Sequence, residues 1–155
     1  MLQRSRSASY ALFASNQMRN SRELIYGLLL TRRDISALFG GNARAFLPRI
    51  ASGEIVAGCF DPRVNPRAPF EVLVHSAPNA ILSAKRFVRQ CGAVPVFVKL
   101  QPNMWEYRGR FRALRYSTNR IEVAARIYEI RPRVYEKHVR EYGEMRGILY
   151  LEEAE

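Results

Sequence analysis

The stretch Met104-Trp105-Glu106-Tyr107-Arg108-Gly109-Arg110-Phe111-Arg112-Ala113-Leu114-Arg115-Tyr116 decides the fold class of this chain. Successive side chains of a strand point to opposite faces, so a period of two sorts them. Trp105, Tyr107, Gly109, Phe111 and Ala113 fall on one face, and Glu106, Arg108, Arg110, Arg112 and Leu114 on the other. The reading is one long strand with an aromatic face and a cationic face. Aromatics on a half-buried strand ordinarily pack a core, and arginines ordinarily sit in water. Three arginines in a row still repel one another unless carboxylates or an anion lie opposite. A phosphate backbone is the natural anion.

Before this strand, Gln101-Pro102-Asn103 is a turn, and Val94 to Leu100, apolar and β-branched, is a strand. Pro78 or Asn79 opens a helix that runs to Gln90, with Ile81, Ala84 and Val88 inward and Lys85, Arg86 and Arg89 outward. Phe70 to His75 and Gly53 to Phe60 are strand candidates. Between them, Pro62, Pro66 and Pro69 forbid a helix or a central strand. Thr31 with Asp34 forms a capping-box signature for a short helix Arg32 to Phe39, stopped by Gly40-Gly41. Arg22 to Leu30 is apolar with weak periodicity and leans to helix. After the long strand, Ile121 to Ile130 is strand or helix, and it forms a hairpin with the long strand if it is a strand. Pro132 opens a helix that Gly143 closes, and Arg146 to Leu151 is a final strand. Strands gather in the middle and helices at the flanks. The expected class is α+β with a curled, mostly antiparallel sheet.

The 155 residues carry 25 basic and 14 acidic side chains, a net charge of +11. Twenty-two of the basic residues are Arg, the side chain best suited to bidentate phosphate contacts, although a GC-rich genome favours Arg as well. Residues 1 to 120 hold 19 basic against 6 acidic side chains, and residues 121 to 155 hold 6 against 8. Such asymmetry suggests one basic face and a polyanionic partner. Residues 1 to 20 read as a basic, Ser-rich arm before a single domain over 21 to 155. The arm also has the Arg-rich, acid-poor composition of an organelle transit peptide.

No apolar run is long enough to span a membrane. Cys59 and Cys91 make no disulfide scaffold, and the plain reading is two thiols in a reducing compartment. His75 and His138 have no zinc-ligand spacing, and Gly40-Gly41-Asn42 is no phosphate-cradling loop. Between Val72 and Arg115 only Glu106 is acidic, whereas a two-metal nuclease needs clustered carboxylates. The expectation is therefore a binding module with no catalytic residue, metal or cofactor. If the protein is instead an enzyme acting on nucleic acid, His75 is its acid–base candidate.

Four stretches, in order, resemble SRA (YDG) domains, a family with a PUA-like sheet that reads modified cytosine. Ser52-Gly53-Glu54-Ile55-Val56-Ala57-Gly58-Cys59-Phe60-Asp61 is similar to the family's entry strand, and Asn79-Ala80-Ile81-Leu82 to its Asn-x-Ala-Leu helix start. Pro95-Val96-Phe97-Val98 resembles its Pro-Val-Arg-Val strand, and Tyr107-Arg108-Gly109-Arg110-Phe111-Arg112 its Tyr-x-Gly-x-Tyr/Phe-Arg strand. The family's Asp-Gly-x-x-x-x-Tyr-Thr-Gly-like stretch is replaced here by Asn65 through Ser76. The resemblance implies a PUA/SRA-like sheet or half-barrel and a double-stranded DNA reader that flips a methylated-type cytosine into an aromatic pocket. Trp105, Tyr107 or Phe70 would stack on the base, and Asn65, Glu71, Ser76 or Asn103 would read its edge. Arg108, Arg110, Arg112, Arg63, Arg67 and Arg44 would neutralise phosphates. The family's fusion to nucleases in bacterial restriction systems implies a nuclease as partner protein and a cytoplasmic, nucleoid-associated place. An RNA-binding or ribosome-associated accessory factor is the alternative, since aromatic platforms also stack RNA bases.

Overall fold

A computed structural model places residues 24–154, so the basic arm assigned to residues 1 to 20 lies outside the described residues. In chain order the elements are β1 (Leu29–Leu30), α1 (Arg32–Phe39), β2 (Gly58–Phe60), β3 (Glu71–His75) and α2 (Pro78–Gln90). They continue with β4 (Val94–Gln101), β5 (Met104–Ser117), α3 (Arg120–Tyr128), α4 (Pro132–Tyr142) and β6 (Met145–Glu153). The class is α+β.

Local chemistry explains most boundaries. At α1, Thr31 Oγ1 accepts from the Asp34 N–H and Asp34 Oδ2 accepts from the Thr31 N–H, both at 3.1 Å. That reciprocal cap was legible in the sequence. Ile121 to Ile130, ambiguous by pattern, starts as helix because Asn119 Oδ1 accepts from the backbone of Ile121 and Glu122. The hairpin partner of β5 is therefore β4, through the Pro102-Asn103 turn, where Asn103 has φ +53°. Residues 24–30 correct the helix expected over Arg22 to Leu30. They form a turn and β1, whose Leu29 and Leu30 pair with Glu106 and Trp105. Within Gly53 to Phe60, only Gly58–Phe60 is strand, and Ile55 makes an isolated bridge to Arg49.

The sheet order is β2-β4-β5-β6-β3, with β1 also on β5. Only β2–β4 is parallel; the other pairings are antiparallel. The end strands β2 and β3 do not pair with each other, so the sheet is mixed and open, not a closed barrel. Loops cover both end strands. The Cys59 N–H donates to the Phe46 carbonyl at 2.8 Å, and the Leu73 N–H donates to Asn65 Oδ1 at 2.8 Å. Covered edges do not template pairing with another chain.

Both sheet faces are packed. On one, Phe87, Ala84 and Ala80 of α2 meet Val94, Val96, Phe111, Leu149 and Leu151. On the other, Leu30 and Ile35 cover Phe97, Trp105 and Tyr107, while Val123 and Ile130 cover Leu73 and Ile148.

These clusters correct the single aromatic face. Trp105 and Tyr107 belong to one side of the sheet, and Phe111 and Ala113 to the other. The cause is a bulge at Gly109. Pro95 faces Arg110 and Phe97 faces Tyr107, so β5 spends three residues where β4 spends two. The extra residue inverts the alternation. Gly109 has φ +108°, a backbone state costly to any residue with a Cβ. Arg108 consequently lies on the sheet face opposite Arg110 and Arg112.

Candidate nucleic-acid interface

For Arg108 and Arg112 the carboxylates that the cationic row requires are supplied by the fold itself. Arg112 stands opposite Glu152 in the β5–β6 register and pairs with it. Arg108 pairs with Glu106 two residues earlier on its own strand. Arg110 donates to the Ala93 carbonyl at 3.0 Å. Arg115 lies 3.9 Å from the Tyr150 ring centroid and reaches Glu122 at 3.7 Å. Among the expected phosphate contacts, Arg63 is held by Asp61 at 2.9 Å, and Arg67 by Glu129 at 2.7 Å and Glu71 at 3.2 Å. Burial raises the Asp61 carboxyl, but the hydrogen bonds and charge of Arg63, with Lys99, hold it below its ordinary value. The hydrogen bonds from Arg67 are the main cause that lowers Glu129. Arg44 is exposed and makes no side-chain ion pair among the described residues.

The expected base-pocket residues fall into separate places. Trp105 and Tyr107 are 8% and 5% exposed and form core, which corrects their placement in an open pocket. The Arg32 guanidinium already covers the Trp105 ring, 5.1 Å from its centroid. Asn103 is a turn residue whose Oδ1 accepts from the Arg32 N–H at 3.2 Å. In a second place, Asn65, Arg67 and Glu71 line one narrow cleft with Arg126 and Glu129, whereas Phe70, 53% exposed, packs edge-on against Phe111 on the other sheet face. The cleft has about 10 Å³ of room, enough for one water. Arg126 bridges Glu71 at 3.1 Å and Glu129 at 3.4 Å across it. In a third, Ser76 follows β3, and its N–H donates to the Glu144 carbonyl.

Asn65 is itself 7% exposed and serves the sheet edge. Its loss leaves the buried Leu73 N–H without an acceptor, which costs about 1–3 kcal/mol. Asn65→Ala therefore lowers the stability by that amount, measured by urea unfolding, while an edge-reading role alone leaves the midpoint unchanged.

A cluster of uncompensated cations with no carboxylate on its own helix lies elsewhere. The outward face of α2 carries Lys85, Arg86 and Arg89, all exposed and none in an ion pair with another of the described residues. No carboxylate occurs between Glu71 and Glu106, so the helix has none of its own. Gln90 fastens the turn after Pro48 alongside it, exchanging 2.9 Å hydrogen bonds with the backbone N–H and C=O of Ile55. That clamp brings Arg49 to the start of the face, where it donates to Asn79 Oδ1 at 3.3 Å. The Arg86 guanidinium lies over Gly53 of the same turn, and Glu54 is the turn's one carboxylate. Asn79 to Arg89 spans about 15 Å of helix axis, matching several consecutive phosphates of a nucleic-acid strand. The helical period places these three cations outward and gives them no role. The signal pointing to them was the long carboxylate-free run around them.

Among the described residues no helix is long and apolar enough to cross a membrane, and no three His, Cys, Asp or Glu converge as metal ligands. Cys59 is buried, its thiol pushed up to about 12 by burial, and Cys91 is exposed; both are free. No family model, curated protein or solved structure matches this chain.

Proposed function

We propose that the protein is a nucleic-acid-binding module that holds a phosphate backbone along the outer face of α2 and the adjoining turn. The observation that carries this reading is the set of four cations, Arg49, Lys85, Arg86 and Arg89, none of them held by a carboxylate of the described residues. Of the arginines expected as phosphate contacts, Arg63, Arg67, Arg108 and Arg112 are held by their own acids, so they attract a polyanion less strongly. The resemblance to SRA domains narrows the proposal to duplex DNA carrying a modified cytosine. In that narrower reading Phe70, 53% exposed, stacks on the base, since Trp105 and Tyr107 lie in the core. A nuclease partner belongs to the same proposal.

The test is a salt series of binding to modified duplex, unmodified duplex and single-stranded RNA. Four phosphate contacts give a log–log salt slope of about −3.6 on duplex. Absence of salt-dependent binding to every probe rejects the module. Equal affinity for modified and unmodified duplexes retains backbone binding and rejects the base reader. Preference for the RNA reassigns the partner.

A further inference from the structure

We propose that His75 and His138 form an acid-released latch that holds the C-terminal half of α4 against β3. None of the α4 residues is fully buried. Its first turns are held by Val134 and Tyr135, which pack beside Val123 and Ile130. Its last turns are held by rings. His138 and Tyr142 lie 5.9 and 5.6 Å from His75, centroid to centroid, and Phe46 lies 6.0 Å from His75 on its other flank. His138 and Tyr142, one helical turn apart, are 4.8 Å from each other. A bulge between Val74 and His75 in the β3–β6 pairing ends the regular ladder at this residue. Bulges re-aim side chains.

This cluster suits neutral imidazoles and not cations. Nε2 of His138 is shut from solvent with no hydrogen-bond partner among the described residues, so a proton added there has no acceptor from them. Two protonated rings would place like charges about 6 Å apart in a half-buried setting. The groups facing the pair are few. Tyr142 and Glu141 come from α4, and Asp61 comes from the loop after β2, already engaged by Arg63 and Lys99. Next to β6, the Glu144 carbonyl accepts from the Ser76 N–H and its carboxylate pairs with Arg146 at 3.8 Å. Glu141 and Asp61 favour a charged His138, but burial and the neighbouring His75 outweigh them and lower it. Burial likewise lowers His75. An imidazole on a released helix titrates near 6.5. Below about that pH the released form binds more protons than the docked one, so docking weakens as pH falls.

Hydrogen–deuterium exchange of the full chain at about pH 7.5 and about pH 5 tests the latch, with α2 amides as the internal reference for intrinsic rates. The expected result is that the last turns of α4 lose about ten-fold protection relative to α2 at the lower pH. In H75Q/H138Q, uncharged at both values, that ratio does not change. A constant ratio in the wild type, or the same drop in the double variant, overturns the proposal. If the double variant leaves α4 undocked at both pH values, imidazole NMR titration of the wild type decides. Midpoints below about 6.5 for both rings support the latch, and a midpoint at or above that value for either overturns it.

Discussion

Trp105→Ala lowers the stability by about 3–5 kcal/mol and leaves the salt slope of nucleic-acid binding unchanged. Trp105 is the single Trp of the chain and is 8% exposed. It shares a cluster with Leu30, Ile35, Phe97 and Tyr107. Truncation removes the transfer energy of the indole and leaves a cavity that the two-residue strand β1 and the short helix α1 must close. Its Nε1 has no hydrogen-bond partner among the described residues, so the loss is one of packing and not of a polar contact. The Arg32 guanidinium loses its aromatic platform as well, a further cost of about 0.5–2 kcal/mol. Arg32 remains tied to the Ala45 carbonyl at 2.6 Å, which limits the collapse. Circular dichroism in a denaturant series measures the change, because the variant lacks the only tryptophan reporter. If stability holds while preference for a modified base disappears, Trp105 is a base platform after all.

The second large effect concerns binding. Replacing Lys85, Arg86 and Arg89 together by Ala reduces affinity for any duplex roughly 500-fold at about 0.1 M salt. Each phosphate contact contributes about 0.9 of a decade under those conditions, and three contacts about 2.7 decades. The salt slope falls by the same 2.7. All three side chains are exposed and unpaired, so the fold keeps its stability within about 0.5 kcal/mol. Fluorescence anisotropy across a salt series separates the two quantities. A variant with undiminished slope places the backbone on another surface, and Arg110→Ala with Arg44→Ala is the next pair to measure.

The legible elements share one property: neighbouring residues specify them. The Thr31–Asp34 cap of α1, the Pro102-Asn103 turn, and Pro132 and Gly143 around α4 act over a few residues. Strands β4 and β5 were legible for the same reason, through β-branched content and alternation. The segment before Leu30 was not. Its apolar side chains suit a helix equally well, and it becomes strand only because the edge of β5 at Trp105 and Glu106 is open to pair with it.

The candidate site divides along the same line. The sequence by itself determined the amount of charge, its concentration before residue 121, the outward placement of Lys85, Arg86 and Arg89, and the absence of carboxylates around them. Each of these depends on composition or on a helical period. Only the tertiary structure decided which arginines stay uncompensated. Arg112 meets Glu152 across 40 positions, Arg67 meets Glu129 across 62, and Arg126 meets Glu71 across 55. One inserted residue at Gly109 also decided that Arg108 and Arg110 face opposite ways. Ion pairs form in space and a bulge is defined only against its partner strand, so neither is encoded in local spacing.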